Sequence, residues 1–164
     1  MPMPDLLTEK SKGLMFRPEM VKAILEGRKT QTRRINTTLK RGDLAYVKET
    51  WAWVDMLGIY VYRASSDDGA VILGEKSFCI PSKWKSPMMM PRKAARIWLR
   101  VLDVRKERLR DITNADSQAE GFSWGNGMSA VEAFAAYWNT INRDPGTRWE
   151  DDPEVYVNTF ERVA

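Results

Sequence analysis

The sequence predicts a small α+β barrel of about six strands with short flanking helices. Three observations point there. Strand-like stretches recur between residues 13 and 163. Short helical stretches interrupt them in mixed order. No internal repeat or low-complexity segment breaks the pattern. The 164 residues are expected to form one domain, 1–164, long enough to bury a core. Residues 1–12 read as a flexible N-terminal segment.

Residues 13–17 (GLMFR) read as a first strand, short and apolar. Pro18 suits a first helical position, and Met20, Val21, Ile24 and Leu25 then share one helical face. Gly27 fits the residue just past the helix, where Arg28 and Lys29 complement its dipole. A helix of about nine residues is not stable alone, so its apolar face must pack. Residues 30–36 (TQTRRIN) read as a strand leaving it.

Residues 40–43 (KRGD) form a turn, 44–53 (LAYVKETWAW) a strand, and 59–64 (IYVYRA) another strand. The turn SSDDG at 65–69 lets residues 70–73 pair back as the next strand. Residues 74–93 are broken by Pro81, Pro87 and Pro91. With Trp84 and the run Met88, Met89, Met90, this stretch is a candidate pocket-covering loop. Residues 95–109 carry the longest strand signal. Thr113 and Asp116 have capping-box spacing and open a short helix that ends near Glu120, with Gly121 as its stop. Ser129 caps a second helix through about Ile141, with Val131, Phe134, Ala135, Trp138 and Ile141 as its apolar stripe. Residues 143–153 read as a loop, and 155–163 (VYVNTFERV) close the chain as a strand.

Charge is unevenly placed. Residues 1–110 hold 23 basic and 12 acidic side chains, whereas 111–164 hold 3 basic and 10 acidic ones. A basic body suggests an anionic partner such as a nucleotide or RNA, although the two halves can equally attract each other within one fold. No apolar run approaches the roughly 20 residues of a membrane span. The N-terminus shows no signal-peptide core. A cytoplasmic setting without a membrane partner is therefore expected. Histidine is absent and Cys79 is the only cysteine. That removes histidine-based triads, disulfide frameworks and the usual zinc clusters, so neither a metal nor another cofactor is expected. Asp67-Asp68 and Glu150-Asp151-Asp152 read as solvated turns.

Proton-transfer chemistry must then use other side chains. Lys29 and Thr32 are the first candidates: a threonine hydroxyl becomes nucleophilic when a base takes its proton, and a lysine can be that base if its pKa is depressed. Arg28, Arg33 and Arg34 would depress it and attract an anionic ligand. The same cluster is also what a solvated edge strand carries. Glu120 is out of place, a carboxylate at the unfavourable end of a helix dipole. Trp84 is the candidate base-stacking side chain.

The segments LMFRPEMVKAILEGRKTQTRR, RGDLAYVKETW, DITNADSQAEGF and VYVNTFERV resemble the ASCH domain, a PUA-like barrel, over residues 13–163. In the second block Ser117 stands where alanine is common. VKETW and the late WNTIN helix are most similar to phage and prophage members. The resemblance implies a basic cleft suited to RNA or nucleotides. One enzymatic branch, the bacterial N4-acetylcytidine amidohydrolases, has a lysine after Gly-Arg, a threonine three residues on and a glutamate in the second block. These fall here on Lys29, Thr32 and Glu120, with the branch's arginine on Arg34. The resemblance thus implies a metal-independent hydrolase that removes the acyl group from N4 of an acylated cytidine, with Thr32 as nucleophile and Lys29 as base. Arg28, Arg33, Arg34 and Trp84 would contact the substrate. An RNA-binding module without catalysis, or a ribonuclease, is the alternative. This chain is about half again as long as that branch, mainly through residues 50–93 and 122–153.

Overall fold

The computed structural model describes residues 6, 9–75 and 77–164. In chain order the elements are β1 (Ser11–Met15), α1 (Pro18–Leu25), β2 (Gln31–Arg34), β3 (Leu44–Lys48), β4 (Trp51–Val54), β5 (Ile59–Tyr62), β6 (Val71–Gly74), β7 (Ser77–Cys79), β8 (Trp98–Arg108), α2 (Asn114–Ala119), α3 (Ala130–Ile141) and β9 (Glu154–Arg162). The chain divides into two compact units. The first holds 1–22, 44–99 and 162–164, and the second holds 23–43 and 100–161. Of the N-terminal segment expected to be flexible, residues 1–5, 7 and 8 lie outside the described residues, and Ser11 and Lys12 belong to β1.

In the first unit β1 pairs in parallel with β3, and β3 neighbours the start of β8. The chain does not run as one strand from 44 to 53. It breaks at Glu49 and Thr50, because the Glu49 N–H donates to Met90 Sδ (3.2 Å) instead of a strand neighbour. The buried Glu49 carboxylate is gripped by both oxygens from Arg96, at 2.8 and 2.9 Å. Beyond the break, β4 and β5 form an antiparallel hairpin.

The stretch expected to pair back onto 59–64 does not do so. Residues 63–65 coil into a short 3-10 turn, and Asp67 and Ala70 exchange hydrogen bonds (2.8 Å each) across Asp68 (φ 45°) and Gly69 (φ 87°), a two-residue turn with both central residues left-handed. β6 instead pairs antiparallel with β7. A small core of Trp51, Met90 and Ala94, with Tyr60, Tyr62 and Ala95 against it, lies in this unit.

In the second unit the strand order is β8-β9-β2, and β2 pairs antiparallel with β9, Thr32 opposite Asn158. Both helices are capped as their sequences predict. Thr113 and Asp116 close a capping box on α2, and Ser129 and Glu132 do so on α3. Phe134 and Trp138 of α3 join Leu109, Ile112 and Val155 in the core, with Ile35, Phe122, Val131 and Trp149 packed against it. Ile141, expected on the apolar stripe, is exposed because the helix ends there.

The expected barrel of about six strands requires correction. Among the described residues no sheet closes on itself: β4–β5 and β6–β7 form separate two-stranded sheets, and the remaining strand order ends at β1 and β2. The architecture is a small α+β fold with three helices and mixed sheets. No helix among the described residues is long and apolar enough to cross a membrane.

Candidate active site

Gly27 adopts φ 74° after α1, and the N–H groups of Arg28 and Lys29 both donate to Ala23 O, at 2.9 and 3.0 Å. This tight stop turns the chain so that Thr30 N–H donates to Ala119 O (2.7 Å) at the end of α2. Lys29 and Glu120 thereby meet as an isolated antiparallel bridge, although they stand 91 positions apart in the chain. Gly121 makes the approach possible. It adopts φ 101°, and a Cβ there would stand 3.0 Å from Ala23 Cβ and 3.5 Å from Lys29 Cβ.

The side chains continue what the backbone starts. Lys29 Nζ donates to Glu120 Oε2 at 2.6 Å, to Gln31 O at 2.8 Å and to Glu120 O at 3.1 Å. Lys29 is 4% exposed and Glu120 3%. Burial pulls the lysine pKa below its ordinary value, the charge and hydrogen bond of Glu120 pull it back up, and Arg34 and Arg33 add to the lowering. Three acceptors around Nζ match the three donors of an ammonium. Desolvation and ion pairing therefore oppose each other in this pair, which is the condition for moving a proton within it.

Glu120 is also the answer to its own misplacement. Its other oxygen, Oε1, accepts from Arg33 Nη1 at 3.2 Å, so two cations offset the unfavourable helix end. Arg33 reaches further: Nε and Nη2 donate to Glu107 Oε1 (2.9 and 2.7 Å), Nη1 donates to Gln31 Oε1 (3.2 Å), and Nη2 lies 3.4 Å from Asp116 Oδ2. Arg105 lies 3.5 Å from Glu107 and 3.6 Å from Asp116.

Alternation along β2 puts Gln31 and Arg33 on one face and Thr32 and Arg34 on the other. Thr32 is buried, and its carbonyl accepts from Asn158 Nδ2 at 3.2 Å. Its hydroxyl is not among the groups hydrogen-bonded to Lys29 or Glu120. Burial lowers the pKa of Arg34, half-buried on the Thr32 face, and the charge of Glu120 opposes that lowering. Arg28 is exposed; it donates to Gly121 O at 2.8 Å and pairs with Glu26.

Lys29, Thr32, Arg33, Arg34, Arg28 and Glu120 all fall in the second unit. Trp84 falls in the first, half-buried, with the Arg63 guanidinium 5.6 Å from its ring centre. The sequence reading missed Glu107 and Asp116 as partners of Arg33. One signal was available: Asp116 and Glu120 are four apart, which puts two carboxylates on one side of a short helix. Glu107, inside the charged run RKER, carried no comparable signal.

The fold and this buried lysine–carboxylate pair lie on a scaffold of ASCH type. An ASCH domain from Lactobacillus crispatus JV V101 superposes with a TM-score of 0.50 at 14% identity, covering 94% of this chain and 80% of that one. A DUF984 protein from Enterococcus faecalis V583 superposes with a TM-score of 0.51 at 12% identity, covering 95% of this chain and 82% of that one. No family model and no curated protein matches the chain.

Proposed function

We propose that the chain is a metal-independent amidohydrolase that removes the acyl group from the exocyclic N4 of an acylated cytidine, releasing cytidine and a carboxylate. The observation that carries this reading is the buried Lys29–Glu120 pair at 2.6 Å, one short step along the chain from the buried Thr32. A lysine whose proton is contested between burial and a carboxylate can pass it to that carboxylate and take a hydroxyl proton in its place.

Bond by bond, Lys29 takes the Thr32 hydroxyl proton while passing one of its own to Glu120. Thr32 Oγ1 bonds to the acyl carbon, and Arg34, on the same face of β2, stabilises the developing oxyanion. The carbon–N4 bond breaks as Lys29 returns a proton to N4, and cytidine leaves. Lys29 then deprotonates a water whose hydroxide attacks the ester carbonyl; the bond to Thr32 Oγ1 breaks as Lys29 gives that proton to the oxygen, the acid leaves as carboxylate with its proton lost to solvent, and Glu120 returns its proton to Lys29.

The test is incubation with N4-acetylcytidine in the presence of EDTA, following cytidine and acetate. Turnover is expected, and Lys29→Ala should lower kcat by about a hundredfold or more. No turnover of any N4-acylcytidine sinks the enzyme reading. Salt-sensitive RNA binding without turnover would establish a binding module instead, and cleaved RNA a ribonuclease.

A further inference from the structure

Arg33 is expected from the sequence to contact ligand, yet its side chain has 0% exposure. Its N–H groups are aimed at Gln31 two residues back on β2, at Glu107 on β8, at Asp116 in the first turn of α2 and at Glu120 at the helix C-cap. A guanidinium has five N–H donors in a fixed fork, and here the fork is spent on protein oxygens.

We propose that Arg33 is a positioning residue: by holding Glu120 Oε1 it keeps Oε2 on Lys29, and it takes no part in binding the acylcytidine. The kinetic consequences rest on the amide-hydrolysis reading; the structural ones do not.

Three observations carry the proposal. A carboxylate can rotate about its last torsion, but the two oxygens of Glu120 are held by different cations, 3.2 Å from Arg33 and 2.6 Å from Lys29, which leaves one orientation. α2 is six residues long, too short to hold itself, and Asp116 in its first turn and Glu120 at its C-cap let one guanidinium anchor it at two points. Finally, Arg33 and Lys29 use different oxygens of the carboxylate, so both cations bind it at once, and the Arg33 charge also acts on the lysine directly. The other charged groups around the pair and its arginine are Glu107 and Arg105 from β8, Asp116 from α2 and Arg34 from β2, with the titratable phenol of Tyr137 of α3 near Arg34.

The experiment compares wild type with Arg33→Lys and Glu107→Gln, each first checked for folding by near-ultraviolet circular dichroism. Two readouts are taken: the titration of the Lys29 side-chain nitrogen by NMR, which needs no substrate, and the pH profile of kcat/KM. Arg33→Lys swaps the fork for a compact ammonium with a looser hold on Glu120. With Oε2 held less firmly on Lys29 and the positive charge at residue 33 kept, the Lys29 titration and the rising limb of the profile should move together to lower pH, with KM changed by less than about twofold. Glu107→Gln keeps Arg33 and strips its closest counter-charge, so both should move to lower pH. It also keeps the proposal falsifiable if Arg33→Lys does not fold. A Lys29 titration unmoved in every folded variant overturns the proposal, as does a KM raised about tenfold with the limb in place, which marks a substrate ligand. If wild type turns over no acylcytidine, the amide-hydrolysis reading fails alone, and the NMR titration still decides the role of Arg33.

Discussion

Ser117 shows how one atom can sit against its surroundings. The residue is fully buried on α2, and among the described residues its hydroxyl finds no hydrogen-bond partner. A buried, unpaired hydroxyl costs about 1–3 kcal/mol, and alanine is also the better helix former. Ser117→Ala should therefore stabilise the protein by about 1 kcal/mol, read as a rise in the urea midpoint at unchanged slope. An unchanged or lower midpoint would mean that the hydroxyl is paired in solution. The reading of Arg33 failed at the same scale for a different reason. A basic cluster announces charge but not exposure, and the carboxylates that bury Arg33 lie at positions 107, 116 and 120. Nothing local to residue 33 reports them.

Among the elements, α2 depends most on charge. Its capping box rests on Asp116, whose carboxylate accepts from the Thr113 N–H while the Asp116 N–H donates to the Thr113 hydroxyl. Burial pushes the Asp116 pKa up; the Thr113 hydrogen bonds, the Arg33 charge and a hydrogen bond from Gln31 outweigh it and leave the value below the ordinary 3.8. A carboxyl whose pKa is lower folded than unfolded contributes stability that is fully present above the unfolded value and lost as pH falls through the folded one. Wild type should thus exceed Asp116→Ala by about 1 kcal/mol near neutral pH, and the gap should close only on acidification below pH 3.8. Thermal melts of the two proteins across that range check it; a gap that closes well above pH 4 would contradict it. The boundaries of α2 and α3 were legible because a cap followed by a carboxylate three residues on is a local device. The break between β3 and β4 was not, because LAYVKETWAW reads as one continuous strand. What interrupts it is a pair of long-range contacts, Glu49 with Met90 and with Arg96.

Across the whole molecule, legibility follows contact distance. Helices, caps and the tight turn at Asp68-Gly69 answer to neighbours within four residues, and they stand where the sequence puts them. Sheet closure answers to distant partners, and there the expected barrel gives way to open strand runs and two hairpins. The second unit is itself discontinuous, assembled from 23–43 and 100–161. Bringing Lys29 to Glu120 closes a loop of 91 residues, at an entropic cost of about 4 kcal/mol before any contact repays it. Such a pair does not nucleate folding. Glu120→Gln should accordingly speed unfolding and leave the folding rate nearly unchanged, as stopped-flow traces would reveal; a slowed folding limb would place the pair in the nucleus. The same split has a consequence during synthesis. Lys29 leaves the ribosome long before its carboxylate exists, so the nascent chain must carry that ammonium in water until α2 has been translated. The candidate centre is then among the last features to assemble, and its activity would report on chains that have finished folding.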